Sequence, residues 1–154
     1  LREVYGELHR RRPDVELAVY GMGYQAWDFE CPVKDYGRID QMTEMARALN
    51  ESTVLLDCST FQGFGRPGLE AMACGCAAVL TRVGGITEYA KHEYNALLID
   101  PADVEDIVQK TVRIFDDPDL RARLIANGRA TAAGYSHIAE VKKTLEYFGG
   151  LLRA

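Results

Sequence analysis

Residues 59–88 read STFQGFGRPGLEAMACGCAAVLTRVGGITE, and the fold turns on the part FQGFGRPGLEAMACG. That part joins the end of an apolar run, VLLD, to an amphipathic segment through a turn holding Gly63, Gly65, Pro67 and Gly68. Proline has a preset φ and no N–H, so Pro67 suits the first turn of a helix, on which Leu69, Met72 and Ala73 share one face. A helix N-terminus is thereby aimed beyond the end of a strand. Free N–H groups and the positive end of the helix dipole make such a turn an anion site, and glycines let a phosphate approach the backbone. Glu70, one turn in, is placed to accept hydrogen bonds from ribose or sugar hydroxyls. The glycines by themselves fit equally a strand-to-helix turn in any α/β protein.

Upstream, Val4, Leu8 and Leu1 stand at helical spacing over residues 1–12, and Pro13-Asp14 ends the segment. VELAVYG (15–21) and PVKDYGRI (32–39, ending near Gly37) read as strands, and STVLLDCS (52–59) as the strand that feeds the turn. Between the first two, Gly21-Met22-Gly23-Tyr24-Gln25-Ala26 is a weak match to a dinucleotide-binding fingerprint. A true fingerprint opens a crossover helix, but Pro32 follows nine residues after Gly23, so a loop beside a ligand crevice fits better than an NAD site. Asp40 is placed to cap a helix whose stripe is Met42, Met45, Ala46 and Leu49.

Downstream, CAAVLT is a buried strand and Val83-Gly84-Gly85-Ile86-Thr87-Glu88 a second strand-to-helix turn, with Thr87 as cap. NALLID (95–100) is the last strand. Asp100-Pro101 then starts a helix that turns Val104, Ile107, Val108, Val112 and either Ile114 or Phe115 inward. Asp116-Asp117-Pro118 breaks it, residues 119–133 form a further helix containing Gly128, and Ile138, Val141, Leu145 and Phe148 share a face over 136–148. Strands alternating with helices predict an α/β fold, a Rossmann-like parallel sheet with helices on both faces, whose ligands lie beyond the carboxyl ends of the strands.

With 154 residues, 47% of them hydrophobic, the chain can bury one core, so residues 1–154 are expected to form a single domain. A net charge of −5, with LHRRRP (8–13) as the only basic cluster, argues against a nucleic-acid partner; the cluster reads as the solvated end of a helix. Cys31, Cys58, Cys74 and Cys76 lack the paired spacing of a zinc site, so no metal is expected, and they suggest a reducing, cytoplasmic compartment. No apolar run approaches the ~20 residues of a membrane-spanning helix, which leaves open peripheral membrane association.

The string at 63–75, with Gly63, Phe64, Gly65, Pro67, Leu69, Glu70, Ala71, Met72, Ala73 and Gly75, followed by Gly84, Gly85 and Glu88, resembles the donor-binding signature of glycosyltransferase family 4. These are retaining enzymes of the GT-B fold, whose pattern runs roughly EGFGLPxLEAMAxGxPVVxSxxGGxxE. A dozen matches at fixed spacing are far more specific than one glycine fingerprint, and a looser similarity spans about residues 15–115.

The resemblance implies the C-terminal, nucleotide-sugar-binding half of such an enzyme, which transfers a sugar from a nucleoside diphosphate donor to an acceptor hydroxyl. It implies a donor site at Gly63, Phe64, Gly65, Arg66, Pro67, Gly68, Leu69 and Glu70, bordered by Gly84, Gly85 and Glu88, with Gly37 and Arg38 near the nucleobase. Glu70 matches the second glutamate of the family's paired motif, which holds the ribose. Backbone donors are expected to hold the diphosphate with no metal ion or other cofactor. Arg66, where leucine is common, and Arg38 are each either a ligand contact or an exposed charge. The family's first glutamate is replaced by Gln62, the candidate catalytic position; an amide can hydrogen-bond a sugar hydroxyl but brings no negative charge. The replacement is compatible with altered donor choice, low activity or a glycosyltransferase-like binding module without catalysis. The chain begins with Leu1, inside a helical pattern, and the resemblance implies a preceding strand near the middle of the sheet and an N-terminal domain that binds a saccharide or lipid acceptor. The 154 residues alone are expected to be inactive. His9, His92 and His137 have no catalytic partner that the sequence identifies.

Overall fold

A computed structural model describes residues 1–21 and 29–151. The glycine-rich segment at 21–26 therefore lies, beyond Gly21, outside the described residues. The elements run α1 (Arg2–Arg11), β1 (Leu17–Val19), β2 (Val33–Asp35), α2 (Met42–Glu51), β3 (Val54–Asp57), α3 (Arg66–Cys74), β4 (Ala77–Thr81), α4 (Ile86–Tyr89), β5 (Leu97–Ile99), α5 (Val104–Asp116), α6 (Pro118–Ala133) and α7 (His137–Leu151).

Each expected strand is present, shortened at its ends, and every pairing is parallel. The strands fall into two sheets, β1–β2 and β3–β4–β5, where a single one was expected. β1 pairs with β2 through Leu17↔Val33 to Val19↔Asp35, and β4 is flanked by β3 (Val54↔Ala77 to Asp57↔Leu80) and β5 (Val79↔Leu97 to Thr81↔Ile99). Among the described residues no ladder joins β1 to β3. Instead the Tyr5 hydroxyl of α1 donates to the Ala18 carbonyl of β1 at 2.7 Å.

Period-two alternation along β4 and β5 divides the interior in two. Ala77, Val79, Leu97 and Ile99 face one layer with Val4, Tyr5 and Leu8 of α1, Ile107, Val108 and Ile114 of α5, and Leu120 and Leu124 of α6. Ala78, Leu80 and Leu98 face the other, with Leu49 of α2, Ala71 and Met72 of α3, and Ile86 and Tyr89 of α4. Helices thus cover both faces, and all five residues of β4 are buried, as a strand sandwiched between two layers must be.

Helix ends follow local chemistry. Pro67 lies in the first turn of α3, after Gly65 at φ +78°, and Gly75 at φ +76° closes the helix in the left-handed conformation that glycine adopts without penalty. Asp103 caps α5 by accepting from the Asp106 amide, three residues later than Asp100 had suggested, and Asp117 caps α6 ahead of Pro118. Two expected caps are not formed. Asp40 is ion-paired with Arg38 while Gln41 occupies the cap position of α2, and Thr87 donates to the Gly84 carbonyl within a turn whose cap position is Gly85.

The stripe on α2 also differs: Ala48 and Leu49 are buried, whereas Met42 is 80% exposed at the first helical position. Ile138, Val141, Leu145 and Phe148 of α7 are exposed. The basic cluster is ion-paired rather than merely solvated, since Arg11 meets Glu7 and Glu105, and Arg12 meets Asp14 and Asp116.

Met72 is 1% exposed and abuts Gly128 of α6, where an added Cβ would stand 3.0 Å from Met72 Cγ. Met72→Ala is expected to cost roughly 2–5 kcal/mol in a denaturant titration, and Met42→Ala less than about 0.5 kcal/mol. His92 Nδ1 accepts the Leu98 amide at 3.0 Å, and burial, followed by the charges of Lys110 and Arg82, lowers its pKa below the usual histidine value. The neutral ring is favoured by folding, so this contribution is complete above the unfolded pKa of about 6.5 and is lost as the pH falls through the folded value. The urea midpoint should therefore drop between pH 7.5 and pH 5, and by less in His92→Gln.

Candidate functional site

Because β3 pairs with β4, the turns that leave their carboxyl ends lie side by side. The Gly85 amide donates to the Gly63 carbonyl at 2.6 Å. A Cβ on Gly84, which has φ +57°, would overlap the carbonyl oxygens of Gln62 and Gly63, and one on Gly85 would stand 2.8 Å from Phe64 Cα. A Cβ on Gly65 would strike the Ile86 side chain, and one on Gly68 the Tyr89 hydroxyl and Leu80. These four glycines are thus required by turn-on-turn packing inside the protein, whereas the sequence suggested room for a ligand. Gly63 is the open one of the group: it is exposed and has nothing within 4 Å of an added Cβ.

Tyr89 fastens the turn from below. Its hydroxyl donates to the Gly65 carbonyl at 2.6 Å, and its ring stands against Phe64 and Tyr135, with centroids 5.8 and 6.1 Å away. Burial raises the pKa of this phenol, which keeps it a donor. Asn95, 2% exposed, holds the segment beyond α4 by donating to the Tyr89 carbonyl (2.8 Å) and Thr131 Oγ1 (2.9 Å) and accepting the Lys91 amide (2.7 Å).

At the α3 N-terminus Gly63, Phe64 and Arg66 are exposed and Gly65 is buried. Pro67 has no N–H and the Gly68 amide is bonded to the Gly65 carbonyl at 3.2 Å, but the amides of Gly63, Phe64, Gly65 and Arg66 have no acceptor among the described residues. Arg66 Nη2 stands 3.4 Å from Glu70 Oε1, with the Arg66 side chain 73% and the Glu70 side chain 38% exposed. Such an exposed pair contributes less than about 1 kcal/mol and leaves both groups available to a ligand. Tyr20, just past β1, is drawn into the same neighbourhood: its pKa is pushed up to about 12, first by burial and then by the charges of Glu70 and Asp57. The ends of β1 and β3 and the start of α3 therefore converge.

Gln62 is half-buried and donates from Nε2 to Asp57 Oδ2 and, at 3.2 Å, to Ser59 Oγ. Asp57 and Ser59 were missed by sequence reasoning; the available signal was an acidic residue ending an apolar run five positions before Gln62. Leu69 is partly buried against the core formed by α2, α3 and α4, and Glu88 is exposed on α4. Gly37 and Arg38 follow β2. Gly37 has φ +60°, accepts the Gly21 amide at 3.0 Å and donates to Asp35 Oδ1 at 2.7 Å, while Arg38 is exposed and ion-paired with Asp40. Among the described residues no hydrogen bond or ion pair joins these two to the glycine turns, so the structure groups 62–70 with 84–88 and leaves 37–38 on the neighbouring sheet.

Thr81 ends β4 with 0% exposure, and its Oγ1 is the one buried side-chain polar atom without a partner among the described residues. Among those residues, no three His, Cys, Asp or Glu side chains are grouped to hold a metal ion, and no helix is long and apolar enough to cross a membrane.

Comparison with known proteins gives this arrangement a context. The D-inositol 3-phosphate glycosyltransferase of Pseudarthrobacter chlorophenolicus is 30% identical over 155 residues, covering 92% of this chain and 36% of the relative. The N-acetyl-alpha-D-glucosaminyl L-malate synthase of Bacillus anthracis is 30% identical over 111 residues, covering 72% of this chain and 28% of the relative. The chain thus spans about a third of the length of these relatives. Sucrose-phosphate synthase from Thermosynechococcus elongatus superposes with a TM-score of 0.83 at 22% identity, over 99% of this chain and 42% of that one. Anabaena HepE in complex with UDP superposes with a TM-score of 0.70 at 21% identity, over 94% of this chain and 36% of that one. The fold is that of GT-B glycosyltransferases, parallel sheets flanked by helices. Residues 1–131 match the family model described as glycosyl transferases group 1, and the chain belongs to that family.

Proposed function

We propose that this chain supplies the donor-binding half of a retaining, family-4-type glycosyltransferase, which moves a sugar from a nucleoside diphosphate sugar to an acceptor hydroxyl. The observation that carries the reading is the turn at 63–66, with four amides lacking acceptors among the described residues at the positive end of α3 and an accessible Glu70 one turn later. A diphosphate placed there would take hydrogen bonds from the amides and, once Arg66 leaves Glu70, charge from its guanidinium, which together would meet the negative charge that develops as the bond to the sugar breaks. The reading needs no metal ion, because these donors meet that charge themselves. Glu70 would accept the ribose hydroxyls, and Arg66, displaced from Glu70, would turn to the phosphates.

Gly63, Phe64, Gly65, Pro67, Gly68 and Leu69 shape this seat, while Gly84, Gly85 and Glu88 form its far wall. Gly37 and Arg38 would meet the base from β2. The UDP bound by HepE supports a nucleotide ligand for this fold. In the complete protein a strand ahead of Leu1 would run between β1 and β3, which share no ladder among the described residues. A second domain would bring a saccharide or lipid acceptor, and the exposed apolar face of α7 is suited to reach it. The protein would work in the cytoplasm or at a membrane surface.

A glycosyltransferase-like binding module without catalysis is the second reading, favoured by the absence of a carboxylate at Gln62. Calorimetric titration of the complete protein with UDP-glucose, UDP-N-acetylglucosamine and GDP-mannose should show saturable binding of at least one. Glu70→Ala is expected to weaken it by about tenfold or more, the loss of charge-assisted hydrogen bonds worth roughly 1.5–3 kcal/mol. Absence of binding to all three, or indifference to Glu70→Ala, would count against both readings; binding without sugar transfer or donor hydrolysis would favour the second.

A further inference from the structure

Gln62 stands where the family pattern has a glutamate, and the structure surrounds it in a way that accounts for the change. A side-chain amide has a donor end and an acceptor end, and nothing in the residue itself decides which faces a ligand. Here Nε2 has two hydrogens and two acceptors, Asp57 Oδ2 and Ser59 Oγ. The other Asp57 oxygen, Oδ1, accepts the Ser59 amide at 2.9 Å, an Asx turn that fixes the carboxylate at the end of β3. An ionised carboxylate only accepts, so it selects the nitrogen end of the amide. Gln62 Oε1 is then the one polar atom of that side chain left over, and among the described residues it receives no hydrogen bond.

Asp57 ends β3, and its charge adds to burial in raising the pKa of Tyr20, past β1, and of Tyr89, on α4. A glutamate in place of Gln62 would put two carboxylates in contact, and like charges so close cannot both stay ionised without penalty.

We propose that Asp57 is a positioning residue that locks the Gln62 amide with Oε1 outward, so that the pair offers a hydroxyl of the donor's sugar the acceptor that a lone glutamate would offer. The negative charge sits one residue behind the contact instead of at it. The pair is a divided glutamate: Gln62 supplies the acceptor and Asp57 the charge. This inference rests on the donor-binding reading and adds to it Asp57, the residue that orients Gln62.

The test is a charge-swap cycle in the complete protein, comprising Asp57→Asn, Gln62→Glu and the double variant that carries both. Affinities are measured for UDP and UDP-glucose, or for GDP and GDP-mannose if that is the donor bound. Each single variant should weaken the nucleotide sugar by about tenfold while leaving the free nucleoside diphosphate within about threefold of wild type. The double variant, whose introduced amide can donate to its introduced carboxylate, should recover most of the loss. Melting temperatures supply the second readout: Gln62→Glu should be destabilised at pH 7.5, less so at pH 5, and rescued by Asp57→Asn. Additive losses in the double variant would overturn the inference, as would equal losses for the sugar nucleotide and the free diphosphate. Loss of binding in Glu70→Ala with none in Asp57→Asn would overturn it and leave the donor-binding reading standing; no binding by wild type to any nucleotide sugar would overturn both.

Discussion

The contact between the two glycine turns is the constraint from which the rest of the structure follows. Parallel pairing of β3 with β4 brings the segments after Asp57 and Thr81 to the same edge of the sheet, and the backbone of Gly84 and Gly85 must then pass within bonding distance of Gln62 and Gly63. Only residues without a Cβ can do this. Once the turns are seated, the Gly65 carbonyl meets Tyr89, and the amides of 63–66 are left without an acceptor among the described residues.

That view changes what the glycines mean. A glycine-rich turn after a strand suggests room for phosphate, and in this chain most of that smallness is consumed by protein against protein. Gly63 alone keeps open space on its side-chain face. On the proposed reading, phosphate would be held by the turn amides and the α3 dipole, neither of which depends on glycine as such, while glycine makes possible the fold that places them.

The architecture was legible in the sequence because its signals are local. Apolar runs stopped by turns marked every strand, Pro67 marked a helix start, Pro118 a helix break, and the alternation of the two kinds of element implied parallel pairing. The misses share a cause, which is competition among partners. Asp40 can cap a helix or pair with Arg38, and a charge two residues away won. Met42 completes an apolar stripe in projection, yet at the first position of α2 it has no neighbour to cover it. The same holds for the site. That Glu70 and Arg66 stand beside the turn amides was readable from spacing, but the contact of Asp57 with Gln62 was hidden because it depends on where the Gln62 side chain folds back, a tertiary fact. The separation of the sheets was hidden too, since strand patterns carry no record of which edges remain unjoined.

Tyr89 connects the turn to a place far along the chain. Its hydroxyl holds Gly65, its carbonyl is held by Asn95, and Asn95 is held in turn by Thr131 near the end of α6, while Tyr135 beyond that helix donates back to the Glu88 carbonyl. The root from which α7 departs is thereby spliced to the seat of α3 by polar links that have directions and lengths, unlike the pliant apolar packing around them. The start of the terminal helix is thus two residues from a side chain tied to the segment on which α3 is seated, and the two ends of the described chain's second half share one polar frame.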